Sequence, residues 1–143
     1  MQLKDIMTPN VEVIHPEATL QEAAQKMKGL DVGPLPVCDG ERLVGMLTDR
    51  DITIRATAEG RDPKTTKVQE VMTCEVISAF EDQGVTEAAR LMEEHQIRRL
   101  VVLNRDKQLV GIVSLGDLAV YTDNQRLAGE VVERVSEPAE PQR

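Results

Sequence analysis

The chain has 143 residues, 41% of them hydrophobic and only 1% aromatic, and carries a net charge of −8. That is room for one compact domain with an aliphatic core. An acidic surface, and rings confined to Phe80 and Tyr121, argue against a nucleic-acid partner, and no apolar stretch approaches the ~18 residues that cross a bilayer.

In chain order, the first segment, Val11-Glu12-Val13-Ile14, reads as extended. Thr19 and Glu22 form a Thr-x-x-Glu capping box, and Leu20, Ala23, Ala24, Met27 and Leu30 continue at helical spacing. Leu35-Pro36-Val37-Cys38 then turns through Asp39-Gly40-Glu41 into Leu43-Val44-Gly45-Met46-Leu47, a hairpin signalled by Asp-Gly. A second helix is expected from Thr48 to about Glu59, stopping at Gly60 with Pro63 beyond.

The same order then recurs. A shift of 65 positions carries Met7-Thr8 onto Met72-Thr73, Glu22-Ala23-Ala24 onto Glu87-Ala88-Ala89, and Val37 onto Val102. One extra turn residue makes the shift 66, which carries Leu43-Val44-Gly45 onto Leu109-Val110-Gly111 and Asp51 onto Asp117. The second copy thus has an extended Val76-Ile77-Ser78, a helix capped at Gly84, a hairpin of Leu100–Leu103 with Leu109–Val113, and a helix from Ser114. Repetition of this length predicts two copies of one supersecondary unit that bury their apolar faces together, with a ligand site in the gap. The expected division is residues 1–59 for the first repeat, 60–70 for a linker, and 71–124 for the second repeat. Residues 125–143 remain, with a short helix through Leu127, Val131 and Val135 and then a fraying tail.

The strongest local signal is Gly45-Met46-Leu47-Thr48-Asp49-Arg50-Asp51 and its echo Gly111-Ile112-Val113-Ser114-Leu115-Gly116-Asp117. Each places a hydroxyl and, three residues on, an aspartate at a strand-to-helix junction. One reading is purely structural: Thr48 with Asp51 and Ser114 with Asp117 are capping pairs. The other is a nucleotide cradle. A carboxylate at a strand end accepts hydrogen bonds from both hydroxyls of a ribose, and the helix start beside it offers N–H groups to a phosphate.

With these motifs the chain resembles the CBS-domain pair, or Bateman module, over residues 6–119. The marks are Met7-Thr8-Pro9 and Met72-Thr73, Leu35-Pro36-Val37 and Leu100-Val101-Val102, and the two Gly-to-Asp motifs. The stretch from Thr48 through Pro63 looks like the stand-alone bacterial pairs, including the hypoxic-response type. The resemblance implies an α/β (α+β) fold of two tandem β-α-β-β-α repeats related by a pseudo-twofold axis, commonly dimerised. It implies no required cofactor but an adenosine-containing regulatory ligand (AMP, ADP or ATP, in some members S-adenosylmethionine or a dinucleotide) in clefts between the repeats. By position, Asp51 and Asp117 would hold ribose, with Thr48 and Ser114 beside the ribose or phosphate. Adenine would lie against Val13 and Ile14, or against Ile77, Ser78 and Ala79.

Family members often carry a basic residue just before the middle strand. Arg98 and Arg99 stand there in the second repeat, whereas the first has Gly33-Pro34 and carries Arg50 inside its motif instead. Arg98 and Arg99 either face a phosphate or pair with Glu93 and Glu94. The corner of Asp117, Ser114, Arg98 and Arg99 is the one expected to be occupied.

Other residues give less. His15 and His95 lack ligand neighbours at metal spacing and read as surface or capping residues. Two cysteines, Cys38 and Cys74, and an N-terminus without an apolar run suit a cytoplasmic address, with a single Cys38–Cys74 bridge as the alternative. No base–nucleophile pairing, Walker or Rossmann pattern suggests an enzyme. The expectation is a regulatory homodimer that senses adenine nucleotide and signals to an effector protein. The alternative is a ligand-free scaffold of the stress-response type.

Overall fold

The computed structural model describes residues 1–121; the expected helix through Leu127, Val131 and Val135 and the tail lie outside them. The elements are β1 (Thr8–Pro9), α1 (Leu20–Leu30), β2 (Pro34–Asp39), β3 (Arg42–Thr48), α2 (Asp49–Asp51), β4 (Ser78–Phe80), α3 (Val85–His95), β5 (Arg99–Leu103), β6 (Leu109–Ser114) and α4 (Leu115–Tyr121). Short 3-10 turns occupy Leu3–Asp5 and Val68–Glu70. This mixed α+β composition, in two copies, is the fold class expected.

Local chemistry explains each helix. The Thr19 hydroxyl accepts the Glu22 N–H at 3.2 Å and starts α1, so the hydroxyl half of the expected capping box forms. Gly84 is the N-cap of α3. Leu20, Ala23 and Met27 on α1, and Ala88, Ala89 and Met92 on α3, are the buried stripes. Both helices end at a residue in the left-handed region, Asp31 at φ 54° and its counterpart Gln96 at φ 52°. The second helix of the first repeat differs from expectation: after Asp51 it continues as a π-helix over Ile52–Thr57, and Gly60 turns the chain at φ 72°.

The chain forms two compact units that do not follow chain order. Among the described residues, one unit joins Met1–Val11 to Ile77–Asp106 and to residues 110–121; the other comprises Glu12–Val76 with Lys107–Leu109. In the first of these, the strand order is β1-β6-β5-β4. β1 runs antiparallel to β6, with Thr8 opposite Ile112, and β4 runs parallel to β5, with Ala79 opposite Val102. Leu3, Ile6, Ala79, Met92, Leu100 and Val113 are the centre of its core.

The other unit repeats this order around the β2–β3 hairpin. Ile14 bridges Val37 in parallel on one side, and Thr73 bridges Met46 in antiparallel fashion on the other. Its core centres on Leu20, Met27, Leu35, Val37, Leu47 and Val68. The first extended segment is therefore shorter than Val11–Ile14, contracting to a bridge at Ile14, and the second lies at Ser78–Phe80 rather than Val76–Ser78. The repeat also begins earlier than Met7. Leu3 and Val68, 65 positions apart, are both fully buried at the start of matching 3-10 turns, so structured chain already occupies the end of the 60–70 stretch.

Among the described residues no helix is long and apolar enough to cross a membrane. Cys38 is buried and Cys74 exposed, and both are free thiols; burial pushes the Cys38 thiol up from its ordinary value.

Candidate functional site

Each Gly-to-Asp motif makes the same corner. In the Glu12–Val76 unit, β3 ends at Thr48, whose N–H donates to Asp51 Oδ2 at 3.0 Å while the Asp51 N–H donates to Thr48 Oγ1 at 3.1 Å. In the other unit the Ser114 N–H donates to Asp117 Oδ2 at 2.8 Å, and the Asp117 N–H donates to Ser114 Oγ at 3.0 Å. The capping reading of both motifs is thus realised as a reciprocal box.

Capping engages only one oxygen of each carboxylate. Asp117 is half-buried, and its Oδ1 accepts no hydrogen bond among the described residues. The Asp51 side chain is 13% exposed, and Arg55 Nε stands 3.8 Å from its Oδ1. Arg55 is a residue at this corner that the sequence reading missed. Its position four residues after Asp51 on a helix was the available signal. Arg55 also donates to the Val71 carbonyl at 3.4 Å.

The middle strand is fastened to each corner by one backbone bond. Leu115 N–H donates to the Arg98 carbonyl at 2.8 Å, and Asp49 N–H donates to the Gly33 carbonyl at 3.0 Å. Arg98 therefore lies just before β5, one hydrogen bond from the Ser114–Asp117 corner, and Arg99 opens the strand. Both arginines are exposed, and neither stands in an ion pair among the described residues, so the alternative reading, pairing with Glu93 and Glu94, is not realised there. Arg50 is exposed at the other corner, likewise without an ion pair.

The expected base-contacting residues fall in the same units as their corners. Ile77, Ser78 and the buried Ala79 lead into β4 beside β5, and Val13 precedes the Ile14 bridge to β2. Lys26, a second residue missed from sequence, donates from Nζ to the Val13 carbonyl at 2.6 Å and lies 3.2 Å from Glu12 Oε2. His15 is structural: its Nδ1 accepts the Glu17 N–H at 3.1 Å.

One further charged pair shapes the Ile77–Asp106 part of its unit. Arg105 donates to both carboxylate oxygens of Asp82, at 2.9 and 2.7 Å, and lies 4.2 Å from the Phe80 ring centroid. These hydrogen bonds hold the Asp82 carboxyl below the usual carboxylate range. A lowered folded value means that the pair contributes stability above the unfolded pKa, and that this is lost as pH falls through the folded one. We expect an NMR titration of Arg105→Ala to show the Asp82 carboxyl titrating higher, toward the ordinary carboxylate range. An unchanged Asp82 titration would exclude the arginine as the cause.

The CBS domain family matches residues 3–56 and 68–124. The CBS domain-containing protein YhcV of Bacillus subtilis is 46% identical over 134 residues, covering 94% of each chain. Hypoxic response protein 1 of Mycobacterium tuberculosis is 42% identical over 117 residues, 81% of each chain. The crystal structure of Hypoxic Response Protein I, described with two coordinated zinc ions, superposes with a TM-score of 0.78 at 40% identity, covering 85% of this chain and 99% of that one. The CBS domain pair of protein MJ0100, crystallised with 5'-methylthioadenosine and S-adenosyl-L-methionine, superposes at 0.71 and 30% identity, covering 84% and 94%. Twin capped corners on a duplicated sheet, matched along both copies, place this chain in the CBS domain family as a tandem pair.

Proposed function

We propose that this protein is a regulatory CBS pair, not an enzyme, that binds an adenosine-containing ligand of the AMP, ADP or ATP class at the Ser114–Asp117 corner. Occupancy would be passed to an effector protein as a change in conformation or in homodimer arrangement, which requires different ligand affinity in the two states. The observation that carries this reading is the Asp117 carboxylate, which caps its helix with Oδ2 while Oδ1 accepts no hydrogen bond among the described residues, an acceptor suited to a ribose hydroxyl. Arg98 and Arg99, exposed and without an ion pair among the described residues, would offer guanidinium groups to phosphate, the charge-assisted pairing that arginine makes best. Half-buried Ile77 and Ser78 would offer the base its surface, whereas the Ala79 side chain, 3% exposed, is committed to the core. The adenosine compounds bound by MJ0100 support the ligand class.

Among the described residues no three His, Cys, Asp or Glu side chains gather as a zinc site requires.

Thermal shift and calorimetry with AMP, ADP, ATP, S-adenosylmethionine and NADH test the proposal. A ligand at 100 times its Kd should add about 2.7 kcal/mol. Asp117→Asn keeps an acceptor for the Ser114 N–H but loses the charge, so it should fold normally and bind about 100-fold more weakly. Unchanged affinity in that folded variant rejects the ribose assignment, and no shift with any compound leaves the ligand-free scaffold.

A further inference from the structure

The two corners are built alike, yet among the described residues only the Thr48–Asp51 corner has cations standing beside its outward acceptors. From this contrast, and resting on the ligand reading above, we propose that the protein binds one nucleotide per chain, and that Lys26 and Arg55 act as built-in cations closing the Thr48–Asp51 corner. Lys26 Nζ sits 2.6 Å from the Val13 carbonyl, on the strand segment that would face the base, and is held there by Glu12 at 3.2 Å. Arg55 Nε stands 3.8 Å from Asp51 Oδ1, the oxygen left over from capping, and its other donors reach the Val71 and Met72 carbonyls at 3.4 and 3.5 Å. A ligand entering this corner must displace both cations and leave their donors to find water.

The other unit has no such residues. Leu91 occupies the position equivalent to Lys26 and offers no donor to Ser78, the counterpart of Val13. Tyr121 occupies the position equivalent to Arg55. Asp117 Oδ1 has no cation beside it among the described residues, and the position of the basic pair Arg98-Arg99 is taken by Gly33-Pro34 in the first repeat. Closure by a side chain already in place costs no association entropy, so the internal cations outcompete a diffusing ligand at ordinary concentrations.

Equilibrium dialysis with AMP, ADP and ATP in turn, up to millimolar concentration, measures the stoichiometry. One nucleotide per chain is expected, abolished by Asp117→Asn and unaffected by Asp51→Asn. Copying the open corner, in the double variant Lys26→Leu and Arg55→Tyr, should raise the stoichiometry to two. Two nucleotides bound by the unaltered protein would overturn closure while leaving the ligand reading intact. A well-folded double variant that still binds one would overturn the roles of Lys26 and Arg55. Binding only by the double variant would support closure and reject the Asp117 corner, and no binding by either protein would reject both. If the double variant does not fold, the Asp51→Asn and Asp117→Asn pair decides, since a loss caused by Asp51→Asn overturns closure.

Discussion

Leu3→Ala should unfold the wrong half of the chain, as judged by sequence order. Leu3 is 0% exposed and packs among Ile6, Ala79, Ala88 and Leu100, more than 70 positions downstream for all but the first. Its N–H donates to the Gln83 carbonyl at 2.9 Å and the next, from Lys4, to the Glu81 carbonyl at 2.9 Å. Truncating a leucine in such a site costs about 2–5 kcal/mol, a large share of the stability of a small domain. Hydrogen exchange should therefore speed up in β5 and β6, while amides of β2 and β3 keep their protection.

The matching residue gives the opposite pattern. Val68→Ala, also in a fully buried site, should loosen β2 and β3, with a smaller loss because valine leaves a smaller cavity. The pair separates two ways of building the protein. If Leu3→Ala instead exposes β2 and β3, the N-terminal segment packs with the first repeat, and the exchange of segments between repeats is wrong.

Local features of the fold were legible in the sequence, and non-local ones were not. The Thr19 and Gly84 caps, the Asp39-Gly40 hairpin and both hydroxyl–aspartate junctions depend on residues within four positions of one another. The parallel edge segments were misplaced, because their bounds are set by partners elsewhere: Ile14 by Val37, and Ser78–Phe80 by Val101–Leu103. The exchange of Met1–Val11 into the unit of the second repeat has no local signature at all. At the corners, Asp51 and Asp117 were legible as a repeated spacing, and Arg55 could have been found from its i,i+4 relation to Asp51. Lys26 could not, since its reach back to Val13 spans the whole first turn of α1 and the loop before it. Nothing in the residues of Ile52–Thr57 marks them for a π-helix.

Glycine substitutions in this chain should have opposite signs at different sites. At Gly111 an added Cβ would lie 2.9 Å from the Thr8 carbonyl oxygen, and at Gly45 it would lie 2.9 Å from the Thr73 carbonyl oxygen and 2.8 Å from Met72 Sδ. These glycines are where the Met-Thr segment of one repeat crosses the hairpin of the other, which is why Met-Thr and Gly recur together in both copies. Gly111→Ala and Gly45→Ala should each lose about 1–3 kcal/mol in urea titration, as overpacking does. Adding Met7→Ala to Gly111→Ala should not restore the loss, because the Thr8 carbonyl is backbone and stays in place. Gly29, by contrast, is exposed in α1 with nothing within 4 Å of the added atom. Gly29→Ala should gain about 0.5–1 kcal/mol from the lower backbone entropy of the unfolded chain. If Gly111→Ala were as neutral or stabilising as Gly29→Ala, β1 would not lie against β6, and the strand order that builds the Ser114–Asp117 corner would have to be redrawn.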